Sequence, residues 1–212
     1  MKLEIRYKER FERMSLYERE AIAAGYQYVT GIDEAGRGPL AGPVVAAACI
    51  LKDAVIFGLD DSKKLSEKRR EELFSEITTH ALAYSIAFSS PKRIDEINIL
   101  NATKEAMIEC VETLSVPPDY VLIDAVSLKE LTVPHQAIIR GDAQSNSIAA
   151  ASILAKVTRD RIMCDYDKQF PGYGFSKHKG YGTKEHYAAL HEVGPSEIHR
   201  LSFLKSFFNG SQ

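Results

Sequence analysis

Cysteine is scarce in this chain: only Cys49, Cys110 and Cys164 occur among 212 residues, with no CxxC pair and no nearby Cys/His spacing. No disulfide framework or thiolate metal site is legible, and the three read as buried, reduced thiols of a cytoplasmic protein. Apolar runs long enough to span a membrane are missing, and the opening MKLEIRYKERFERM is charged throughout, so it reads as neither signal peptide nor anchor. Internal repeats and low-complexity tracts are absent too. Net charge is only -2, so a polyanionic partner would have to be held by local basic clusters rather than by a global field. A membrane partner is not expected, and nothing demands more than a monomer.

What is present is enough apolar content, 45%, for one good core with appended helices. The expected divisions are an N-terminal helical segment over 1–25, a core over 26–170 and a C-terminal helical part over 171–212. Spacing of three to four from Phe11 onward predicts an amphipathic helix ending near Gly25. Strands are expected at Tyr28 to Asp33, Val44 to Leu51, Leu82 to Phe88 (apolar enough to be covered on both faces), Tyr120 to Ile123 and Gln136 to Ile139. Helices should start at the N-caps Ser66 and Ser90, the second running on to Ser115 before Pro117 and Pro118, and a third should carry Ile148 to Ile162. Short helices around Tyr187 to Leu190, capped by Thr183, and Leu201 to Phe208 complete the chain. Strands alternating with helices make this an α/β fold with a mixed sheet.

The stretch GIDEAGRGPLAGPVVAA, Gly31 to Ala47, is the most informative. Asp33 and Glu34 follow an apolar run directly, and burying two adjacent carboxylates is costly unless something positive sits beside them. Gly36, Gly38 and Gly42 are spaced G-x-G-x-x-x-G and lead into a second strand, so a dinucleotide or Walker loop is excluded. Two further strand-like runs end in acids, Asp124 and Asp142. Ligand sites in α/β folds gather at strand ends, and four hard oxygen donors suit magnesium or manganese rather than zinc. Each acid also has a purely structural reading. Asp142 would cap the following helix, Asp124 would end a strand, and adjacent Asp33 and Glu34 should point to opposite faces unless the strand bulges or ends there. One shared site accounts for all four together.

The ordered set DEAGRGPLAGP, DSKKLS, LIDA, GDAQSNSIAAASILAKVTRDR, HKGYGTKEH and IHRLSF, spread over residues 28 to 205, resembles bacterial ribonuclease HII, the type 2 ribonuclease H family. The resemblance implies a ribonuclease H-like fold with a mixed central β-sheet flanked by helices. It also implies an endonuclease that cuts RNA paired to DNA and single ribonucleotides embedded in duplex DNA. On that resemblance Asp33, Glu34, Asp124 and Asp142 would be the catalytic carboxylates and would bind two divalent ions, Mn²⁺ or Mg²⁺. Gly36, Arg37 and Gly38 would read the ribose 2′-hydroxyl, Lys63 would contact a phosphate, and Tyr181 would pack on the sugar of the next deoxynucleotide. The expected chemistry is two-metal hydrolysis leaving 3′-hydroxyl and 5′-phosphate ends.

The residue types suit those roles. The 2′-hydroxyl is the group that separates RNA from DNA, and glycines permit the close backbone approach that reading it requires. Tyr181 stands among Lys177, Lys179 and Lys184, a pattern of phosphate-holding cations around a stacking ring, though a buried Tyr beside a glycine turn reads equally well. Lys63 taken alone is a solvated lysine, and His178, His186, His191 and His199 read as structural or surface residues. Two other functions fit less well: a related metal nuclease or strand-transfer enzyme without a 2′-hydroxyl requirement, and a non-catalytic hybrid-binding module.

Overall fold

The computed structural model describes residues 2–205. Five strands, β1 (Val29–Ala35), β2 (Val44–Ile50), β3 (Ala83–Ser89), β4 (Tyr120–Asp124) and β5 (His135–Ile138), form one sheet in the order β3-β2-β1-β4-β5. The first three make an antiparallel meander; β4 runs parallel to β1, and β5 parallel to β4. Every side chain of β2 is buried, because VVAAACI has no polar face to offer water. Around the sheet lie α1 (Lys2–Met14), α2 (Leu16–Ala23), α3 (Glu67–His80), α4 (Pro91–Ile97), α5 (Ile99–Glu112), α6 (Asn146–Gln169), α7 (Phe175–His178) and α8 (Lys184–Val193).

Helix α6 crosses β1 and β2 on one face, and α5 crosses β2 and β3 on the other. Small side chains permit this closeness: Ala46, Ala47 and Ala48 of β2 and Ala149, Ala150, Ala151 and Ala155 of α6 are all fully buried. At Gly31 the approach is backbone on backbone, since a Cβ there would collide with the peptide of Ser147. A side chain at this position would push α6 off the sheet, and overpacking of that kind costs roughly 1–3 kcal/mol or more. The N-terminal helices are tied to the start of α6. Glu18 Oε1 accepts from Ser145 Oγ (2.6 Å), Ser147 N (2.9 Å) and Ser147 Oγ (2.8 Å), a carboxylate at a helix N-terminus where the dipole favours it.

Several local expectations are corrected. The helix expected from Phe11 to Gly25 begins at Lys2 and divides at Ser15 into α1 and α2. The helix expected from Ser90 to Ser115 breaks at Asn98, whose φ of 69° ends α4 while its side chain accepts from Asn101 N to cap α5. The Asn98 side chain caps well, so one apolar stripe serves two helices. Strand β3 is not covered on both faces: it is a sheet edge, with Tyr84 and Phe88 exposed and its alternate residues buried. The caps at Ser66, Ser90 and Thr183 form as the spacing predicts. Cys49 and Cys110 are buried and burial pushes both thiols up to about 12, but Cys164 is only half-buried. Of the last expected helix, Leu201–Phe203 is a single 3-10 turn and 206–208 lie outside the described residues.

Candidate active site

The topology decides where the acids meet. Pairing of β1 with β4 ends at Ile32 and Ile123, so Asp33 and Asp124 follow at the same level on neighbouring parallel strands. Beyond that level β4 has stopped while β1 continues, paired only with β2, to Ala35. Glu34 therefore borders a gap rather than another strand. The register of β1 is regular, with no bulge; an open edge brings both adjacent acids to bear on Asp124. Asp142 enters from a 3-10 turn, Gly141–Ala143, that follows β5. It does not cap α6, because Ser145 does so by accepting from Ile148 N, which leaves the Asp142 carboxylate free to face the acids. Asp124 Oδ1 accepts from Gly141 N at 2.6 Å, binding the β4 end to that turn.

A depression of about 450 Å³ bordered by Asp61, Lys63, Asp124 and Asp142 opens at this end of the sheet. A separate hollow of about 480 Å³, lined by Phe11, Ile22 and Leu51, lies beneath the N-terminal helices and holds none of the expected site residues. Asp61 is the acid that the sequence reading passed over. It faces Asp142, and its charge and a shared hydrogen bond help raise that carboxyl. The signal was there in the doubled acid of the Asp60 to Lys64 loop, but nothing local placed that loop opposite Asp142. The loop is fixed by a Ser62 Oγ to Ser152 Oγ hydrogen bond of 3.0 Å onto α6 and by Arg70, which donates to Ser62 O and Leu65 O.

The electrostatics are those of a site short of positive charge. Burial, then the neighbouring Glu34 and Asp124, raise the Asp33 carboxyl well above its ordinary value. Glu34 and Asp124 are also raised, each chiefly by burial, and Asp142 is pushed up to about 6 by burial together with Asp61 and Asp124. Glu34 Oε2 is buried with no hydrogen-bond partner, while Oε1 meets Arg37 Nη1 at 3.4 Å. Lys63 answers in part: burial works against its charge, but Asp33, Asp61 and Asp142 outweigh it and raise the ammonium. Among the described residues no three His, Cys, Asp or Glu groups close into a ready-made metal cage. The fit to divalent ions rests instead on hard oxygen donors, an orphaned buried carboxylate oxygen and mutual repulsion that a cation would relieve.

The expected substrate contacts gather beside these acids. Gly36 (φ +96°) is buried, and a Cβ there would collide with the Arg159 side chain behind it. Gly38 is exposed, with open space around it except for the Tyr181 ring, whose Cε1 lies 3.7 Å from where a Cβ would stand. Arg37 and Tyr181 are each about 45% exposed, so the turn and the ring form one accessible surface. Of the lysines around Tyr181, Lys177 and Lys184 face solvent, but Lys179 turns inward to Ser176 O and to Cys164 Sγ (3.3 Å) and offers no phosphate contact.

Two arginines missed in the sequence hold this surface from beneath. Arg159 donates to Pro43 O (3.0 Å), Ala41 O (3.1 Å) and Lys179 O (2.9 Å), and Arg200 to Gly42 O (2.9 Å), Arg37 O (3.0 Å) and Gly36 O (2.6 Å). Both are essentially fully buried, and burial lowers them to about 10 and about 9, so both remain charged at neutral pH. Desolvating a guanidinium costs several kcal/mol. Three charge-assisted bonds on each, roughly 1.5–3 kcal/mol apiece, offset it.

A family model described as Ribonuclease HII matches residues 30–206, most of the chain and the whole of this site. The chain belongs to the ribonuclease HII family. A ribonuclease HII of Ruminiclostridium cellulolyticum is 55% identical over 203 residues, 95% of this chain and 80% of the relative. One from Bacillus licheniformis is 56% identical over 197 residues, 92% and 77% of the two chains. Among solved structures, the ribonuclease HII in the PCNA complex from Archaeoglobus fulgidus aligns with a TM-score of 0.72 at 28% identity, covering 87% of this chain and 97% of that one. The ribonuclease H2 of Pyrococcus horikoshii aligns with 0.68 at 28% identity, covering 82% and 92%. Membership of the ribonuclease HII family makes the chain a metal-dependent endoribonuclease, a hydrolase acting on the RNA of RNA/DNA hybrids. Among the described residues no helix is long and apolar enough to cross a membrane.

Proposed function

We propose that this ribonuclease, besides cutting hybrids, cleaves on the 5′ side of single ribonucleotides embedded in duplex DNA, leaving 3′-hydroxyl and 5′-phosphate ends. The observation that carries the reading is the juxtaposition of the open Gly36 to Gly38 turn and the Tyr181 ring beside four mutually repelling carboxylates. Asp33, Glu34, Asp124 and Asp142 would hold divalent metal, Mg²⁺ or Mn²⁺. Two such ions, when bound, would supply an activated water and neutralise charge on the leaving 3′-oxygen.

The chain's own groups do the rest. Lys63, held protonated by the acids around it, offers a charge to the phosphate being cut. Gly38, bare of side chain, lets backbone approach the minor groove where a 2′-hydroxyl lies, and Arg37 stands exposed next to it. Tyr181, half-exposed against that turn, packs its ring on the sugar of the following deoxynucleotide. The divisions at residues 25 and 170 then gain a meaning: the core carries the acids, and the C-terminal part brings Tyr181 to border the groove. The protein acts as a monomer in the cytoplasm, where such duplexes arise.

The test is cleavage of a duplex with one ribonucleotide beside an all-DNA duplex and an RNA/DNA hybrid, with Mg²⁺, Mn²⁺ or chelator. Metal-dependent cutting 5′ to the lone ribonucleotide with the all-DNA duplex intact supports the proposal. Cutting of the hybrid alone refutes the roles given to Gly36, Arg37, Gly38 and Tyr181.

A further inference from the structure

Behind Tyr181 lies a group of side chains that the reaction does not use. His186 of α8 and His199 are 0% and 3% exposed, and His178 of α7 stacks on His186 with ring centroids 4.5 Å apart. Their hydrogen bonds admit one proton assignment. His186 Nδ1 lies 2.9 Å from Tyr181 O, a carbonyl with no hydrogen to give, so Nδ1 carries the proton and the neutral ring leaves Nε2 bare. His199 Nε2, 2.9 Å from that bare nitrogen, must then donate. This leaves His199 Nδ1 as the acceptor for Ser196 N at 2.9 Å, which is the polarity a backbone N–H requires. His178 obeys the same logic, donating through Nε2 to Tyr173 O (2.8 Å) and accepting at Nδ1 from Gly180 N (3.2 Å). An added proton on any of the three rings would set one N–H against another. Burial agrees, holding His199 down to about 4 and lowering His186 as well.

The chain of bonds therefore runs Ser196 N–H to His199, His199 to His186, and His186 to the Tyr181 carbonyl. His199 is also joined in sequence to Arg200, which grips Gly36 O and Arg37 O, and it bridges Ala41 across a short backbone pairing. One dipeptide thus holds both halves of the exposed surface: the glycine turn through Arg200, and Tyr181 through the two imidazoles.

We propose that His199 and His186 are positioning residues for ribonucleotide selection: a neutral, tautomer-specific imidazole pair that sets the Tyr181 loop in register with the Gly36 to Gly38 turn. This rests on the reading of Tyr181 as the ring that packs beside the ribonucleotide junction. Neither histidine touches substrate. Each acts through the Tyr181 backbone, so its loss should alter which duplex is preferred rather than the metal-bearing acids.

The experiment compares Tyr181→Ala, His199→Ala, His199→Gln and the double variant His199→Ala/Tyr181→Ala, on a single-ribonucleotide duplex and on an RNA/DNA hybrid. The readout is the ratio of kcat/KM on the two substrates, with circular dichroism and Tm recorded for each variant. His199→Ala should lower the ratio in the same direction as Tyr181→Ala, by about fivefold or more, the equivalent of one hydrogen bond of ~1 kcal/mol. Glutamine, whose amide can still donate to His186 Nε2, should bring the ratio back to within about twofold of wild type. The double variant should be no worse than Tyr181→Ala alone, since residues acting through one another are not additive. A shifted ratio in Tyr181→Ala with wild-type selectivity in folded His199→Ala overturns this inference alone. An unshifted ratio in Tyr181→Ala overturns the junction reading and this inference with it. Should His199→Ala not fold, ¹⁵N-histidine spectra of the wild type at pH 7.5 decide: the Nδ1–H form of His186 with the Nε2–H form of His199 supports the pair, and any other assignment or a cationic ring refutes it.

Discussion

Asp142→Asn should make the metal-free protein more stable while making it a worse enzyme. The carboxyl of Asp142 is pushed from its ordinary 3.8 up to about 6 by burial, Asp61 and Asp124, so the fold holds the proton more tightly than the unfolded chain does. The sign follows directly. Between those values the folded state binds more protons than the unfolded one, so stability falls as pH rises through the window, and above about 6 the ionised group costs its full amount. At 1.36 kcal/mol per pH unit that gap amounts to about 3 kcal/mol. The depression is open to solvent and Lys63 screens the charge, so about 1–2 kcal/mol should be realised. The assay is urea unfolding in chelator at pH 7.5 and at pH 4.5. Asparagine should raise the stability at pH 7.5 by that amount and at pH 4.5 by only about a third of it, because there the folded carboxyl is protonated while the unfolded one still mostly ionises. With saturating Mg²⁺ the order should reverse, because the wild type then binds an ion that the variant holds poorly. An Asp142→Asn protein that is less stable than wild type in chelator at pH 7.5 would refute the repulsion argument and make Asp142 a structural residue.

The same reasoning predicts that Mg²⁺ or Mn²⁺ raises the Tm of the wild type in the absence of substrate, by about 1–3 kcal/mol of added stability at tens to hundreds of Kd; no shift in a thermal melt would count against a site preformed by the four acids. Gly36→Ala should destabilise the fold by about 2–4 kcal/mol in urea melts, because its φ of +96° and the collision with Arg159 act together, whereas Gly38→Ala should leave stability within ~1 kcal/mol but weaken cutting at an embedded ribonucleotide. His199, held down to about 4 by burial, contributes stability that is fully present above 6.5 and is lost as pH falls toward 4; the advantage of wild type over His199→Gln should shrink by about 1–2 kcal/mol across that interval, and a constant difference would show that the ring is not buried neutral. Glu18→Ala should cost about 2 kcal/mol, measured by chemical denaturation, since it leaves Ser145 Oγ and the Ser147 amide and hydroxyl without their shared acceptor at the start of α6.

How much of this could be read in the sequence depends on how local each cause is. The caps at Ser66, Ser90 and Thr183, the fully buried run of β2 and the acids at strand ends are legible because a few neighbouring residues determine them. Asn98 was not, since an apolar stripe continues across it and only its left-handed backbone shows that one helix ends and another begins. For β3 the composition suggested burial on both faces, but edge position is a property of the whole sheet. Asp142 carried a competing local reading, since a carboxylate just before a helix looks like a cap, yet Ser145 stands closer and takes that role. Asp61, Arg159, Arg200 and the histidine pair act across separations that no periodicity encodes. Arg159 reaches carbonyls more than 100 positions away, and Arg200 more than 150.

The two kinds of buried charge are kept apart, and the separation explains why the acid site can stay unquenched. Arg159 and Arg200 lie directly behind the turn that follows Asp33 and Glu34. All six of their hydrogen bonds go to backbone carbonyls, which compensate a guanidinium without titrating it or supplying a counter-charge. Ion pairing of either arginine with Asp33 or Glu34 would have lowered those carboxyls and removed the repulsion a metal relieves. It would also have freed the Gly36 to Pro43 carbonyls and loosened the turn. By spending its buried cations on the backbone, the fold keeps a rigid reading surface and a site that is electrostatically deficient side by side, with Lys63 and Arg37 as exposed cations that face the acids.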